Sequence, residues 1–325
     1  MKEYEHRINY LRLSITDRCN LRCIYCVPQE GIRFVPYSEI LTYEELLRVV
    51  RLSIQVGIRK VRLTGGEPLL RRGIIGFLCR LREIPELVDI SLTTNGVLLK
   101  RFAKDIKRCG IERINISLDT LRADRYKKIT GRDHFRDVWE GIEEALDQGF
   151  DPVKINTVVM KGLNDDELED FISLTFKRPF HIRFIEFMPI GENNRWDPKR
   201  FISGREILER VKGYGKLIEI PSDPYSGPAR RFKIKDSIGE IGIIETMTGH
   251  QCKNCNRLRL TAEGGLRSCL FSDSEVDLRY MLRNGKSDQE LVEVLRHTIE
   301  KKKRIIQKGI IYPRRCSRHM SSIGG

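Results

Sequence analysis

No apolar run in this chain reaches the ~18 residues that a membrane-crossing helix needs. Its opening, Met1-Lys-Glu-Tyr-Glu-His-Arg7, has none of the apolar core of a signal peptide. A cytoplasmic address is therefore expected, with no membrane partner. Low-complexity tracts are missing too, and nothing repeats except a strand–helix unit. Acidic residues are in deficit: 45 Asp and Glu face 59 Lys and Arg, a formal net charge of +14. An excess of that size calls for an anionic partner, which can be nucleic acid, a membrane surface or a buried polyanionic substrate. The basic residues are spread along the chain. The one dense run, Lys301-Lys302-Lys303-Arg304, reads as the solvated C-terminus of a helix rather than a binding patch.

What the chain does have is nine cysteines. In a cytoplasmic protein such a number argues against disulfides and for metal or redox chemistry. Cys79 and Cys109 fall in helical patterns and read as ordinary buried thiols, and Cys316 stands alone. The other six form two groups, Cys19, Cys23 and Cys26, then Cys252, Cys255 and Cys269.

The 325 residues suffice for one large domain or a barrel with an appendage. Up to about residue 190, β-rich runs alternate with helical patterns. The predicted strands are Tyr10–Ile15, Lys60–Thr64, Val88–Thr93, Arg113–Leu118, Val153–Val159 and His181–Phe187. The helix after the first opens on a capping box, Thr42 with Glu45. Such repeats imply a parallel sheet with right-handed crossovers. A full eight-fold barrel takes ~250 residues, so six units in about 180 predict an α/β fold of the incomplete (β/α)6 TIM-like kind. Residues 1–195 are assigned to this partial barrel and 196–325 to a C-terminal α+β region, with helices near Gly204–Val211, Val276–Arg283 and Asp288–Lys301.

Alternation within the strands separates two faces. Arg12 and Ser14 oppose Leu11, Leu13 and Ile15; Arg62 and Thr64 oppose Val61 and Leu63. Asn115, Ser117 and Asp119 oppose Ile114, Ile116 and Leu118, and Lys154 and Asn156 oppose Val153 and Ile155. Helices cover the apolar outer face of such a sheet. The polar set then lines the lumen, which suits a polar, anionic ligand. An antiparallel sheet with one wet face is the other reading, and the strand–helix alternation weakens it.

Cys19-Asn-Leu-Arg-Cys23-Ile-Tyr-Cys26 directly follows the first strand. Three thiolates at this spacing can hold three corners of a cubane, and with no fourth cysteine nearby one iron stays open for a further ligand. Three-quarters of a zinc site is the bland alternative. The run Asp17–Cys26, with Thr64-Gly65-Gly66-Glu67-Pro68 after the second strand, resembles the radical S-adenosylmethionine (SAM) superfamily. The resemblance implies a [4Fe-4S] cluster whose open iron takes the SAM amino and carboxylate groups. It implies that Gly65, Gly66 and Glu67 hold the SAM amino group. It also implies that reductive cleavage of SAM yields a 5′-deoxyadenosyl radical.

The second triad leaves more open. Cys252-Lys-Asn-Cys255 with Cys269 is either a zinc knuckle completed by His250 or a second cluster with an open corner. Arg257 and Arg259, two residues apart, share one side of a strand and form a clamp for phosphates, or else are surface arginines.

Over essentially the whole chain the sequence resembles the GTP 3′,8-cyclase family of molybdenum-cofactor biosynthesis (protein A of that route). The carrying segments are Tyr10-Leu-Arg-Leu-Ser14, both triads, Thr93-Thr-Asn-Gly96, Asn115-Ile-Ser-Leu-Asp119, Lys154-Ile-Asn156, Phe187-Met-Pro189, Asp277-Leu-Arg279 and Ser321-Ser-Ile-Gly-Gly325. The resemblance implies an iron–sulfur lyase with two [4Fe-4S] clusters and SAM as cofactors. Cys19, Cys23 and Cys26 would hold the first cluster, and Cys252, Cys255 and Cys269 the second. Tyr25, Gly66, Ser117 and Met188 would contact SAM; Arg12, Arg62, Thr93, Lys154, Arg257, Leu258 and Arg259 would hold GTP. Arg257, Gly324 and Gly325 would join the first triad as catalytic residues, the terminal Gly-Gly reaching the active site. The radical would take the ribose 3′-hydrogen, and C3′ would bond to guanine C8.

Implied partners are GTP, an electron donor and a cyclic pyranopterin monophosphate synthase that receives the product, with the chain a monomer or homodimer. Two departures from the family pattern stand out: Gln251 replaces the aromatic residue frequent before the second CxxC, and the short N-terminus lacks Phe-Gly-Arg, a role Arg7 would fill in part. A peptide-modifying radical SAM maturase is the nearest competing function. A zinc-bearing nucleic-acid-binding protein is the competing class; it gives the Gly-Gly-Glu-Pro turn no role.

Overall fold

The computed structural model describes residues 8–28, 30–192, 194–223, 225–249, 255–308 and 316–324. The expectations that fall on Arg7, His250, Gln251, Cys252 and Gly325 lie outside these described residues.

Strand and helix alternate as the patterning predicts. The order is β1 (Tyr10–Ser14), α1 (Tyr43–Gln55), β2 (Lys60–Thr64), α2 (Ile74–Arg82), β3 (Asp89–Thr94), α3 (Leu99–Arg108) and β4 (Arg113–Ser117). Then come α4 (Ala123–Thr130), α5 (Phe135–Asp147), β5 (Val153–Val159), α6 (Leu168–Lys177) and β6 (His181–Glu186). The C-terminal part adds α7 (Gly204–Lys212), β7 (Leu217–Ile220), β8 (Arg230–Ile234), β9 (Glu240–Ile244), β10 (Arg257–Leu260), β11 (Gly265–Arg267) and β12 (Val276–Asp277). It closes with α8 (Leu278–Arg283), α9 (Asp288–Gln307) and the short α10 (Met320–Ile323). α1 opens on the expected box: Thr42 Oγ1 accepts from Glu45 N at 3.1 Å, and the Glu45 carboxylate accepts from Thr42 N at 2.7 Å.

All twelve strands join one mixed sheet, in the order β12-β11-β10-β1-β2-β3-β4-β5-β6-β9-β8-β7. The sequence predicted six parallel strands. The parallel run has eight, because β10 lies parallel against β1 and β9 parallel against β6. Neither strand belongs to a strand–helix repeat, so periodicity gave no sign of where they pair. The apolar face carries Leu11, Leu13, Val61, Leu63, Leu92, Ile114, Ile116, Ile155, Ile182 and Leu258, all in one core with Leu46, Val49 and Val50 of α1. Burying each such side chain stabilises the fold by ~1.5–3 kcal/mol.

Two expectations are corrected here. Cys79 within α2 and Cys109 just after α3 are not separate thiols but a disulfide, their Cα atoms 4.6 Å apart. Side-by-side packing of the two helices brings them together across 30 residues. The basic run is not wholly solvated either. α9 continues to Gln307, and Lys302 falls on its inward stripe with Leu291, Leu295 and Ile299, only 5% exposed.

Candidate active site

The loop after β1 carries the first cysteines over the carboxyl ends of the parallel strands, where open α/β sheets bind ligands. Its backbone is pinned to α4, with Arg22 N donating to Thr130 O at 2.8 Å and Ile24 N to Ile129 O at 3.0 Å. The turn after β2 packs directly on it. Gly66 N donates to Thr16 O and Glu67 N to Arg18 O, both at 2.7 Å. A β-carbon on Gly65 would meet Thr16 O at 2.6 Å, and one on Gly66 would meet Arg18 O at 2.2 Å, so neither position admits a side chain.

Cys19, Cys23 and Cys26 all line one cavity. Burial raises all three thiols, and the cysteines' own mutual repulsion and Asp119 drive Cys23 and Cys26 further up. Three soft sulfur donors whose ionised forms are penalised in this way fit a bound metal centre, whose positive charge removes the penalty.

Tyr25, Gly65, Gly66, Ser117 and Met188 line the same cavity. So does Asp119, which accepts from Tyr25 Oη at 2.6 Å and Val158 N at 2.8 Å; burial lifts its carboxyl to about 6. Glu67, expected to hold SAM, is not among the residues lining this cavity. It is fully buried and turned inward, accepting from Leu69 N at 3.0 Å, Thr94 Oγ1 at 2.8 Å and Asn95 N at 2.6 Å. It ties the diglycine turn to the end of β3, and burial lifts it to about 7.

The basic residues gather deeper in the lumen. β-Sheet register sets Arg259, Arg12 and Arg62 side by side on β10, β1 and β2. Like charges directly opposite on neighbouring strands repel; Arg62 Nε donates to the neutral Ser91 Oγ at 3.1 Å. Arg12 and Arg259 are pulled below the usual guanidinium range, first by burial and then by neighbouring arginines. Arg257 and Thr93 also line the cavity. Thr64 Oγ1, Thr93 Oγ1, Asn156 Oδ1 and Ser321 Oγ are buried at its wall without a hydrogen-bond partner among the described residues. Unmatched polar atoms around a ring of cations are what a polar, anionic ligand would satisfy.

Two residues expected to hold GTP are not among those lining this cavity. Lys154 is buried outside the cavity lining, and desolvation, then Arg183 and Arg62, bring its ammonium down to about 5. Leu258 points to the opposite face, into the apolar core, so it can offer the lumen only backbone. Arg183 was missed. It lines the cavity from β6 and is brought down to about 9 by burial and then by Arg62. The alternation in His181-Ile-Arg183-Phe would have found it.

Of the second triad, Cys255 and Cys269 are described. Burial alone would push the Cys255 thiol up, but Lys302 and Arg257 beside it hold it down at about 5. The tail closes the lumen: Arg259 Nη1 donates to Gly324 O at 3.0 Å, and Met320 and Ser321 line the cavity.

A parallel α/β sheet that carries a three-cysteine loop after its first strand, locked under a diglycine turn, defines a radical SAM enzyme. The profile of the Radical SAM superfamily matches residues 13–175, and that described as Molybdenum Cofactor Synthesis C matches residues 180–308. A Thermodesulfovibrio yellowstonii protein named GTP 3′,8-cyclase is 50% identical over 324 residues, 99% of each chain. One of the same name from Pelotomaculum thermopropionicum is 46% identical over 323 residues, again 99% of each. The chain belongs to the GTP 3′,8-cyclase family. Streptococcus suis SuiB, in a crystal structure bound to S-adenosylmethionine, matches at a TM-score of 0.63 over 90% of this chain and 68% of that one. At 14% identity that likeness speaks for the fold alone. No helix among the described residues is long and apolar enough to cross a membrane.

Proposed function

We propose that this chain converts GTP to (8S)-3′,8-cyclo-7,8-dihydroguanosine 5′-triphosphate in the cytoplasm, the first step towards molybdenum cofactor. The carrying observation is the row Arg259, Arg12 and Arg62, three adjacent guanidiniums facing one lumen. A triphosphate turns their repulsion into attraction. A peptide substrate would leave it uncompensated.

Cys19, Cys23 and Cys26 would hold the first cluster, and Cys255 and Cys269, with Cys252, the second. When bound, the first cluster with SAM supplies the hydrogen-abstracting chemistry at the ribose 3′-carbon. The chain's part is placement. Gly65 and Gly66 would present backbone to the SAM amino group, while Tyr25, Ser117, Met188 and the Asp119 carboxylate would enclose its cationic end. Arg12, Arg62, Arg257, Arg259, Arg183 and Thr93 would orient the triphosphate, Lys154 adding charge from behind the wall. Guanine would sit toward Cys255 and Cys269, with Gly324 and Gly325 closing the lumen against water. An electron donor and a synthase that takes the product complete the scheme.

The test is anaerobic reconstitution followed by incubation with dithionite, SAM and GTP. About eight irons per chain, with 5′-deoxyadenosine formed only when GTP is present, is the expected outcome. Zinc without iron and no SAM cleavage would refute the reading. SAM cleavage indifferent to GTP would keep the superfamily and discard the substrate.

A further inference from the structure

α9 packs its inward stripe against the body of the protein, and by periodicity position 302 should be apolar. It is a lysine, 5% exposed. Its ammonium has three N–H donors, and three acceptors meet them: Cys255 Sγ at 3.1 Å, Ser268 O at 2.8 Å and Arg257 O. None of the three is a carboxylate. A buried ammonium needs a negative charge close by, and of the three acceptors only the Cys255 sulfur, as a metal-ligating thiolate, can supply it.

The acceptors also share a pattern. Arg257 lies two residues beyond Cys255, and Ser268 immediately precedes Cys269. One side chain thus bridges the two segments that bear these cysteines, across 47 and 34 residues of sequence. No other described side chain is hydrogen-bonded to both segments.

We propose that Lys302 is the positioning residue of the second cluster, clamping its Cys255 and Cys269 segments together and balancing the charge of the thiolate-ligated core. The inference rests on reading those cysteines as cluster ligands. Partners one step behind metal ligands typically set 10–100-fold in metal affinity. An N–H donor on a ligating sulfur, carrying positive charge, favours the reduced and more anionic cluster, so it raises the reduction potential. Among the described residues, no Lys or Arg side chain is hydrogen-bonded to the sulfurs of Cys19, Cys23 or Cys26. Leu21 N and Asn95 Nδ2, both neutral, are the donors to Cys19 Sγ.

The experiment compares anaerobically reconstituted wild type, Lys302→Met, Lys302→Arg and Cys255→Ser by iron content, electron paramagnetic resonance of the reduced clusters and redox titration. Lys302→Met is expected either to fall from about eight irons towards four or to keep eight with the second cluster shifted to lower potential and released ~10–100-fold more readily to a chelator. In both cases the first cluster's SAM-dependent signal stays. Lys302→Arg, which keeps the charge, should recover part of the potential, and it reads the clamp even where the methionine variant folds poorly. Eight irons with an unchanged second-cluster potential and spectrum in Lys302→Met and Lys302→Arg would overturn the inference. Wild type with four irons, matched by Cys255→Ser, would instead overturn the reading of the second triad.

Discussion

The two cysteine sites differ most in what surrounds the sulfurs. Around Cys19, Cys23 and Cys26 the charged neighbours include Asp119 and Glu67, and every thiol is pushed up. Around Cys255 they are Lys302 and Arg257, and a thiol that is just as deeply buried comes down to about 5. Burial works against ionisation in both places, so the sign of the neighbouring charge decides the outcome. The lumen between them is therefore polarised. Its Asp119 end suits a cationic ligand such as the sulfonium and ammonium of SAM. Its Arg12, Arg62 and Arg259 side suits a triphosphate. One cavity can hold both ligands in a fixed order because each is repelled from the other's end.

The strongest way to break this comparison is to remove a ligand from each site. Cys19→Ser or Cys23→Ser is expected to reduce SAM cleavage to background. Cys255→Ser should retain part of it while GTP turnover is lost. Equal loss of SAM cleavage in all three folded, purified variants would mean the two sites do not act separately.

A smaller effect tests the polarity itself. Arg62→Ala removes one cation whose hydrogen bond runs to the neutral Ser91 Oγ, and charge-assisted hydrogen bonds contribute ~1.5–3 kcal/mol, so KM for GTP should rise about 10- to 100-fold with KM for SAM unchanged. Asp119→Asn keeps the shape and removes the charge at the opposite end; there the SAM constant should move and the GTP constant stay. Matching shifts in both constants for either variant would show that the lumen is not divided.

The parts of this arrangement that local sequence records were legible. Period-two alternation put Arg12, Arg62, Ser117 and Lys154 on one face, cysteine spacing marked two candidate metal sites, and the diglycine turn sits where a β-carbon has no room. What stayed hidden depends on pairing between distant segments. Four residues of β10 carry no sign that they lie beside β1, yet that register is what sets Arg259 against Arg12. The disulfide between Cys79 and Cys109 arises from helix packing. Glu67 was given to SAM because the motif is read as a unit, whereas its hydrogen bonds run to β3 and beyond. Lys302 was hidden by its neighbours. Among four basic residues its place on the inward stripe looks like one more solvated charge.

The finest test of the polarised lumen is a proton count. Desolvation, and next to it the repulsion of Arg183 and Arg62, hold the Lys154 ammonium at about 5, so in the free chain at pH 7 this side chain is neutral. A triphosphate nearby adds negative charge and favours the protonated form. The bound state then holds more protons than the free state, and by linkage binding must strengthen as pH falls from about 7 towards 5, by at most about tenfold per unit. Titration calorimetry of GTP without reductant, in buffers of different ionisation enthalpy, measures the uptake directly. GTP contributes its own proton change on binding, so the informative quantity is the difference between wild type and Lys154→Met. Up to about one more proton taken up by wild type is expected. No difference would mean that Lys154 does not change its protonation when GTP binds, and would overturn its coupling to the triphosphate.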